Sequence, residues 1–163
     1  MQPMTDRQEH LKNYLTECRQ KLMTTLNVIS GDDWNVQVQS EGDLWTVLQM
    51  VRHLQDAHRG LVVQARRIAA GEPNLPPDFD LDRWNAGAQR KTTEMSPETA
   101  LENLRASHEK LLEFIEGLSE QSFQNVGYQA YLKKTLPLDE FIKIIGEHEL
   151  AHGEEIAKAL GKG

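Results

Sequence analysis

The segment from Pro137 to Leu160, PLDEFIKIIGEHELAHGEEIAKAL, constrains the fold more than any other part of the chain. At about 100° per residue, Phe141, Ile145, His148, His152, Ile156 and Ala159 fall in one sector roughly 80° wide. Two imidazoles therefore stand in the middle of an apolar stripe that carries no other polar residue. Such a helix must pack against other elements along that stripe, and its two rings need partners there, because an unpaired buried polar group is costly. Histidines four residues apart on one helical face present two ligands to one divalent metal. The alternative is a pair of core histidines whose spacing is incidental.

The remaining sequence supplies helices to pack against. From Thr5 or Asp6, either of which can cap, Leu11, Leu15, Cys18, Leu22 and Ile29 recur at steps of three and four, or multiples of them, until Gly31, which predicts a first helix. The next stretch, Asp32 to Gly42, holds the alternating run Trp34-Asn-Val36-Gln-Val38-Gln, too isolated to make a sheet, and reads as a loop. With Asp43 as its cap, a second helix runs to Ala70 through Leu44, Val47, Leu48, Val51, Leu54, Leu61, Ala65 and Ile68, and Gly71 and Pro73 end it. Pro73, Pro76 and Pro77 then forbid a helix, so this is the longest connection, with a short helix following from Asp80 to about Thr93. Ser96 and Pro97 open a third main helix carrying Leu101, Leu104, His108, Leu111, Ile115 and Leu118 on one face. A linker from Ser119 to Thr135 leads to Pro137, which opens the last. The expected fold is all-α: a four-helix bundle with a long connection between helices two and three, forming a single domain over residues 1–163 without internal repeats.

Composition narrows the function. With 39% hydrophobic and 26% charged residues the chain has the character of a globular domain. A net charge of −7, with no basic cluster beyond Arg66-Arg67 and Lys133-Lys134, argues against nucleic acid as a partner. The one cysteine, Cys18, lies on the apolar stripe of the first helix, where it reads as a small buried hydrophobe and permits no intrachain disulfide. Without an apolar leader or a run approaching 18 apolar residues, neither a signal peptide nor a membrane span is expected, and the protein reads as cytoplasmic.

Two histidines do not complete a metal site, since catalytic zinc takes three protein ligands and keeps an open position for water. The string His148-Glu149-Leu150-Ala151-His152 matches the H-E-x-x-H motif of zinc proteases, but only Glu154 and Glu155 follow as donors, which disfavours that class. A third ligand must come from an earlier helix, and His53, His58 and His108 are the candidates; His10, in the first turn of helix one, is less well placed. On the helical wheel His58 lies about 20° from the centre of the apolar face of helix two, whereas His53 is at its border, so periodicity alone favours His58. Asp56 could accept a hydrogen bond behind His53 or be a solvated acid, and Trp84 and Asn85 could line a pocket mouth or pack the long connection. His108 reads as a hydrogen-bonded core residue.

Leu44-Trp45-Thr46-Val47 followed by Met50-Val51-Arg52-His53-Leu54, then Phe79-Asp80-Leu81-Asp82-Arg83-Trp84-Asn85, then His148 and His152, resembles the DinB-like superfamily of metalloenzymes over nearly the whole chain. In that family a tryptophan opens helix two, a histidine follows eight residues later, and the last helix supplies two more histidines. The resemblance implies that His53, His148 and His152 hold a divalent ion, zinc or nickel, in a four-helix bundle that is often a homodimer. It also implies transfer of low-molecular-weight thiols such as bacillithiol, thiol-dependent isomerisation, or hydrolase-like resistance functions. The expectation is a thiol transferase or hydrolase acting on a small electrophile, with a small-molecule substrate and neither nucleic acid nor membrane as partner. The alternative is a metal-free helical binding or stress-response module with structural histidines.

Overall fold

The computed structural model describes residues 2–39 and 44–162. Among them are five helices, α1 (Asp6–Leu26), α2 (Val47–Ala69), α3 (Leu81–Lys91), α4 (Pro97–Glu116) and α5 (Leu138–Ala159). Two short antiparallel hairpins accompany them: β1 (Gln37–Gln39) with β2 (Leu44–Thr46), and β3 (Val126–Gln129) with β4 (Lys134–Pro137). The long helices α1, α2, α4 and α5 pack together as a bundle, with α5 against both α1 and α2 and α4 against α2.

Local chemistry explains most boundaries. Thr5 starts α1 with a reciprocal cap: its hydroxyl accepts from the Gln8 N–H at 3.3 Å, and Gln8 Oε1 accepts from the Thr5 N–H at 2.8 Å. Thr46 and Gln49 repeat the device at the start of α2, at 3.2 and 2.9 Å. Ser96 caps α4 with Pro97 in its first turn. The expected cap at Asp43 lies outside the described residues, and α2 begins after Thr46. Helix α1 stops at Leu26, earlier than Gly31, because a 3-10 turn over Gly31–Asn35 follows and Ile29 reaches the core from the intervening bend.

The all-α expectation is corrected by the hairpins. The alternating run around Val38 does have a partner, since Val38 pairs with Trp45 immediately before α2, and Gly127 pairs with Leu136 in the linker before α5. Two-stranded ribbons are marginal alone. These survive because each sends a side chain into the core, Val38 at 0% exposure and Leu136 at 5%. Each is also fastened to the helix it precedes: Val47 N–H donates to the Val36 carbonyl at 2.9 Å, and Leu138 N–H to the Asn125 carbonyl at 2.9 Å. A second 3-10 turn, Glu120–Gln124, precedes β3. The order helix, 3-10 turn, hairpin, helix therefore occurs twice, from α1 to α2 and from α4 to α5, a repeat of structure that the sequence does not display.

Residues 70–96, between α2 and α4, hold α3, the short helix expected from Asp80 to about Thr93. None of its residues is buried. It is attached to α2 by polar contacts: Trp84 Nε1 donates to Asp56 Oδ2 at 3.2 Å, and Gln89 Nε2 to the Gln49 carbonyl at 2.8 Å.

The apolar interior falls into two clusters. One draws on Leu11 and Leu15, Val62 to Ile68, Leu111 and Ile115, and Leu138 to Ile145. The other draws on Leu22 and Leu26, Val47 to Leu54, Ala100 and Leu104, and Ile156. Between them meet Arg19 of α1, His58 of α2, His108 of α4 and Glu149 of α5: Arg19 pairs with Glu149, His58 Nε2 lies 3.7 Å from Glu149 Oε1, and the His58 and His108 rings are 6.2 Å apart. No helix among the described residues is long and apolar enough to cross a membrane.

Candidate metal centre

Beside that polar group, His53, His148 and His152 converge. The two histidines of α5 lie one turn apart, with His152 Nε2 3.1 Å from His148 Nε2. His53 approaches from α2, its Nε2 3.2 Å from the same nitrogen of His148. The three donor atoms all lie within 4.8 Å of one another. Nitrogens bound to a tetrahedral zinc at about 2.0–2.1 Å would be about 3.3 Å apart, close to both measured separations.

Proton counting shows why this cluster fits a cation. His152 Nδ1 donates to Glu155 Oε2 at 2.9 Å, which leaves its Nε2 as a bare acceptor in the neutral ring. His148 Nε2 faces both neighbours but can carry only one proton, so the two short contacts cannot both be hydrogen bonds among neutral rings. A cation placed among three lone pairs removes that conflict.

Electrostatics favours the neutral, ligating form. Burial, reinforced by His152, holds His53 down at about 3, against an ordinary value of 6.5. Burial also takes His148 well below that value, with smaller effects from His152, His53 and His58. His53 is 8% exposed, and the side chain of His152 is 16% exposed, so the cluster is reached from the His152 side. The β1–β2 hairpin has a part here, because β2 places the Trp45 ring 4.9 Å from that of His53.

Other residues singled out in the sequence lie elsewhere. His58, nearer the centre of the apolar face, is 2% exposed and outside the trio, with its ring 6.2 Å from that of the partly exposed His108. Neither of its nitrogens has a hydrogen-bond partner. Asp56 turns to Arg59 at 3.1 Å and to Trp84, so it docks α3. Glu149, the acid of the H-E-x-x-H string, is held in the interior by Arg19, with Oε2 accepting from Nε at 3.1 Å and Oε1 from Nη2 at 2.5 Å. That geometry removes it from a general-base role. Cys18 is buried beside Tyr14 and Gly146, and burial pushes its thiol up from 9.0. Sequence reasoning missed Arg19 and the orienting contact of Glu155; the spacing of Glu155 three residues after His152 was the available signal for the latter.

Three imidazoles meeting in a helical bundle place the chain among helical proteins with a candidate metal site. The chain belongs to the DinB superfamily, whose family model matches residues 14–156. It is 24% identical over 150 residues to YfiT of Bacillus subtilis, to which a metal-dependent hydrolase activity is ascribed, covering 90% of this chain and 82% of that one. The solved structure of YfiT, a four-helix bundle, superposes with a TM-score of 0.73 at 21% identity, over 100% of this chain and 93% of the other. A mycothiol-dependent maleylpyruvate isomerase superposes with a TM-score of 0.76 at 15% identity, over 94% of this chain but 63% of that longer one. The colibactin self-resistance protein ClbS, solved with a double-stranded DNA, superposes with a TM-score of 0.74 at 15% identity, over 94% and 95%.

The last of these corrects the expected partners, a small-molecule substrate and a second copy with nucleic acid excluded. The same fold is found bound to DNA. Net charge is a sum over the whole chain, whereas contact is local. Here Arg59 and Lys110, far apart in sequence, join Arg66 in lining one groove between α2 and α4.

Proposed function

We propose that the protein is a divalent-metal-dependent enzyme, a hydrolase or thiol transferase that attacks an electrophilic centre, with His53, His148 and His152 as the ligands. The observation that carries this reading is the meeting of three imidazole Nε2 atoms, two of whose contacts cannot both be hydrogen bonds. Nitrogen donors of this kind suit zinc or nickel. A divalent ion bound by neutral ligands keeps its charge and makes hydroxide or thiolate available near neutral pH.

The protein's own residues hold and orient. Glu155 fixes the His152 tautomer so that Nε2 faces the centre, and Trp45 packs beside His53. Burial keeps His53 and His148 unprotonated. The cysteine is turned inward and its thiol raised, so a thiol used in the reaction would have to be a low-molecular-weight one brought in from solution. The mycothiol-dependent neighbour supports that version, and the YfiT relationship supports hydrolysis.

Elemental analysis of protein purified without an affinity tag tests the metal. About one divalent ion per chain is expected, and a protein that remains metal-free after incubation with zinc or nickel favours the binding-module alternative. Incubating the loaded protein with an electrophile, with and without an added thiol, and weighing the products separates hydrolysis from thiol transfer.

A further inference from the structure

The turns of α5 that carry the histidines have almost nothing apolar to hold them. Between Ile145 and Ile156 the only buried residues on this helix are Gly146, Glu149 and Gly153. The glycines let α1 come close: a Cβ on Gly146 would stand 2.9 Å from Cys18 Sγ, and one on Gly153 would stand 3.2 Å from Leu22 Cδ1. Close approach fixes a distance between two helices, but smooth glycine surfaces do not fix how one is rotated about its axis.

Between the two glycines, Glu149 meets Arg19 through paired bonds of 3.1 and 2.5 Å. The same guanidinium donates from Nη1 to the Leu104 carbonyl of α4 at 2.7 Å. Arg19 is 8% exposed and Glu149 3%. A planar fork engaged on both oxygens of a carboxylate and on a main-chain carbonyl is a directional joint, unlike an apolar contact. Glu149 adjoins His148 in the chain, so the joint that sets the direction of Glu149 also sets that of His148.

We propose that Arg19 and Glu149 are positioning residues for the histidine cluster: their ion pair is the rotational stop that turns His148 and His152 of α5 toward His53. The consequence for metal binding rests on the function proposed above; the orientation of the rings does not. Removing one member alone would leave a buried charge unpaired, so the informative variant removes both, Arg19→Met with Glu149→Leu, which such pairs commonly tolerate. Arg19→Lys is the companion, since it retains the charge and loses the fork.

The experiment has two readouts in each protein. Nuclear Overhauser contacts between the His53 and His148 rings are recorded with metal chelated away, and affinity and visible spectrum are measured with Co2+. Cooperative unfolding and helical circular dichroism serve as controls. In the double variant the ring contact should disappear and Co2+ should bind at least about tenfold more weakly with an altered spectrum, the range in which outer-shell changes act. Arg19→Lys should shift both readouts in the same direction by less. A wild type that shows the ring contact but takes no Co2+ would sink the metal reading, while loss of the contact in the variants would still support the positioning role. Folded variants that keep the wild-type ring contact and Co2+ affinity would overturn the proposal, and Arg19→Lys decides it alone should the double variant not fold.

Discussion

Glu155 holds His152 by its outer nitrogen: Oε2 lies 2.9 Å from Nδ1, one turn further along α5, and the inner nitrogen is thereby committed to the cluster. This contact fixes both the tautomer and the ring rotation. Glu155→Ala should weaken metal binding by about 10- to 100-fold while leaving helical content unchanged. Competition with a chromogenic chelator measures it, and an unaltered affinity would mean that the ring is oriented by packing alone.

Single alanine substitutions at His53, His148 and His152 should each remove tight metal binding, whereas His58→Ala should keep it. The first three rings share the cluster, while His58 lies outside it and faces His108 and Glu149. The loss should exceed the range given for Glu155, because a ligand itself is removed. Circular dichroism of each variant should remain helical. A His53→Ala protein with full metal content would take α2 out of the site.

Acid should destabilise the metal-free protein in a defined window. Burial, with Arg19 and His108 adding to it, holds His58 down at about 3, and burial with Arg19 holds His108 down at about 4, against an ordinary value of 6.5. Below 6.5 the unfolded chain binds protons that the folded one refuses, so stability is full above about pH 7 and declines as pH falls toward 4 and then 3. The contribution of His58 is at most on the order of several kcal/mol. Urea midpoints of chelated protein between pH 4 and 8 should show the decline. His58→Leu, which discards two unpartnered buried nitrogens, should make it shallower by the share of that ring, while His53 and His148, held down by the same burial, keep the rest. A variant with the wild-type slope would contradict this origin.

Gly127 tests the second hairpin. A Cβ there would lie 2.2 Å from Cδ1 and 2.4 Å from Cγ1 of Ile68, a residue at 0% exposure, so the Ile68 side chain, β3 or α2 would have to move. Gly127→Ala should cost about 1–3 kcal/mol in equilibrium unfolding. A neutral result would show that the side chain or the strand shifts without resistance.

The helices were legible in the sequence where a cap and an apolar stripe coincide, as at Ser96-Pro97 before Leu101 and at Pro137 before Phe141. The hairpins were not, because strands of three and four residues carry too little alternation to stand out, and the partner of Val38 is read more naturally as the start of α2. The wheel favoured His58 over His53, since α2 packs on α4 and on α5, and the centre of its apolar face points between the two rather than at the cluster. Arg19 was invisible for another reason: a buried arginine resembles a solvated one until its carboxylate, 130 residues away, arrives.

The twofold occurrence of helix, turn, hairpin and helix bears on when a metal can be captured. The first unit, ending in α2, owns one imidazole of the cluster, and the second, ending in α5, owns two. Neither unit alone has a complete set, so capture of the ion should coincide with the docking of α5 onto α2. Metal uptake would then be a late event of folding, and its kinetics would time the meeting of the two units.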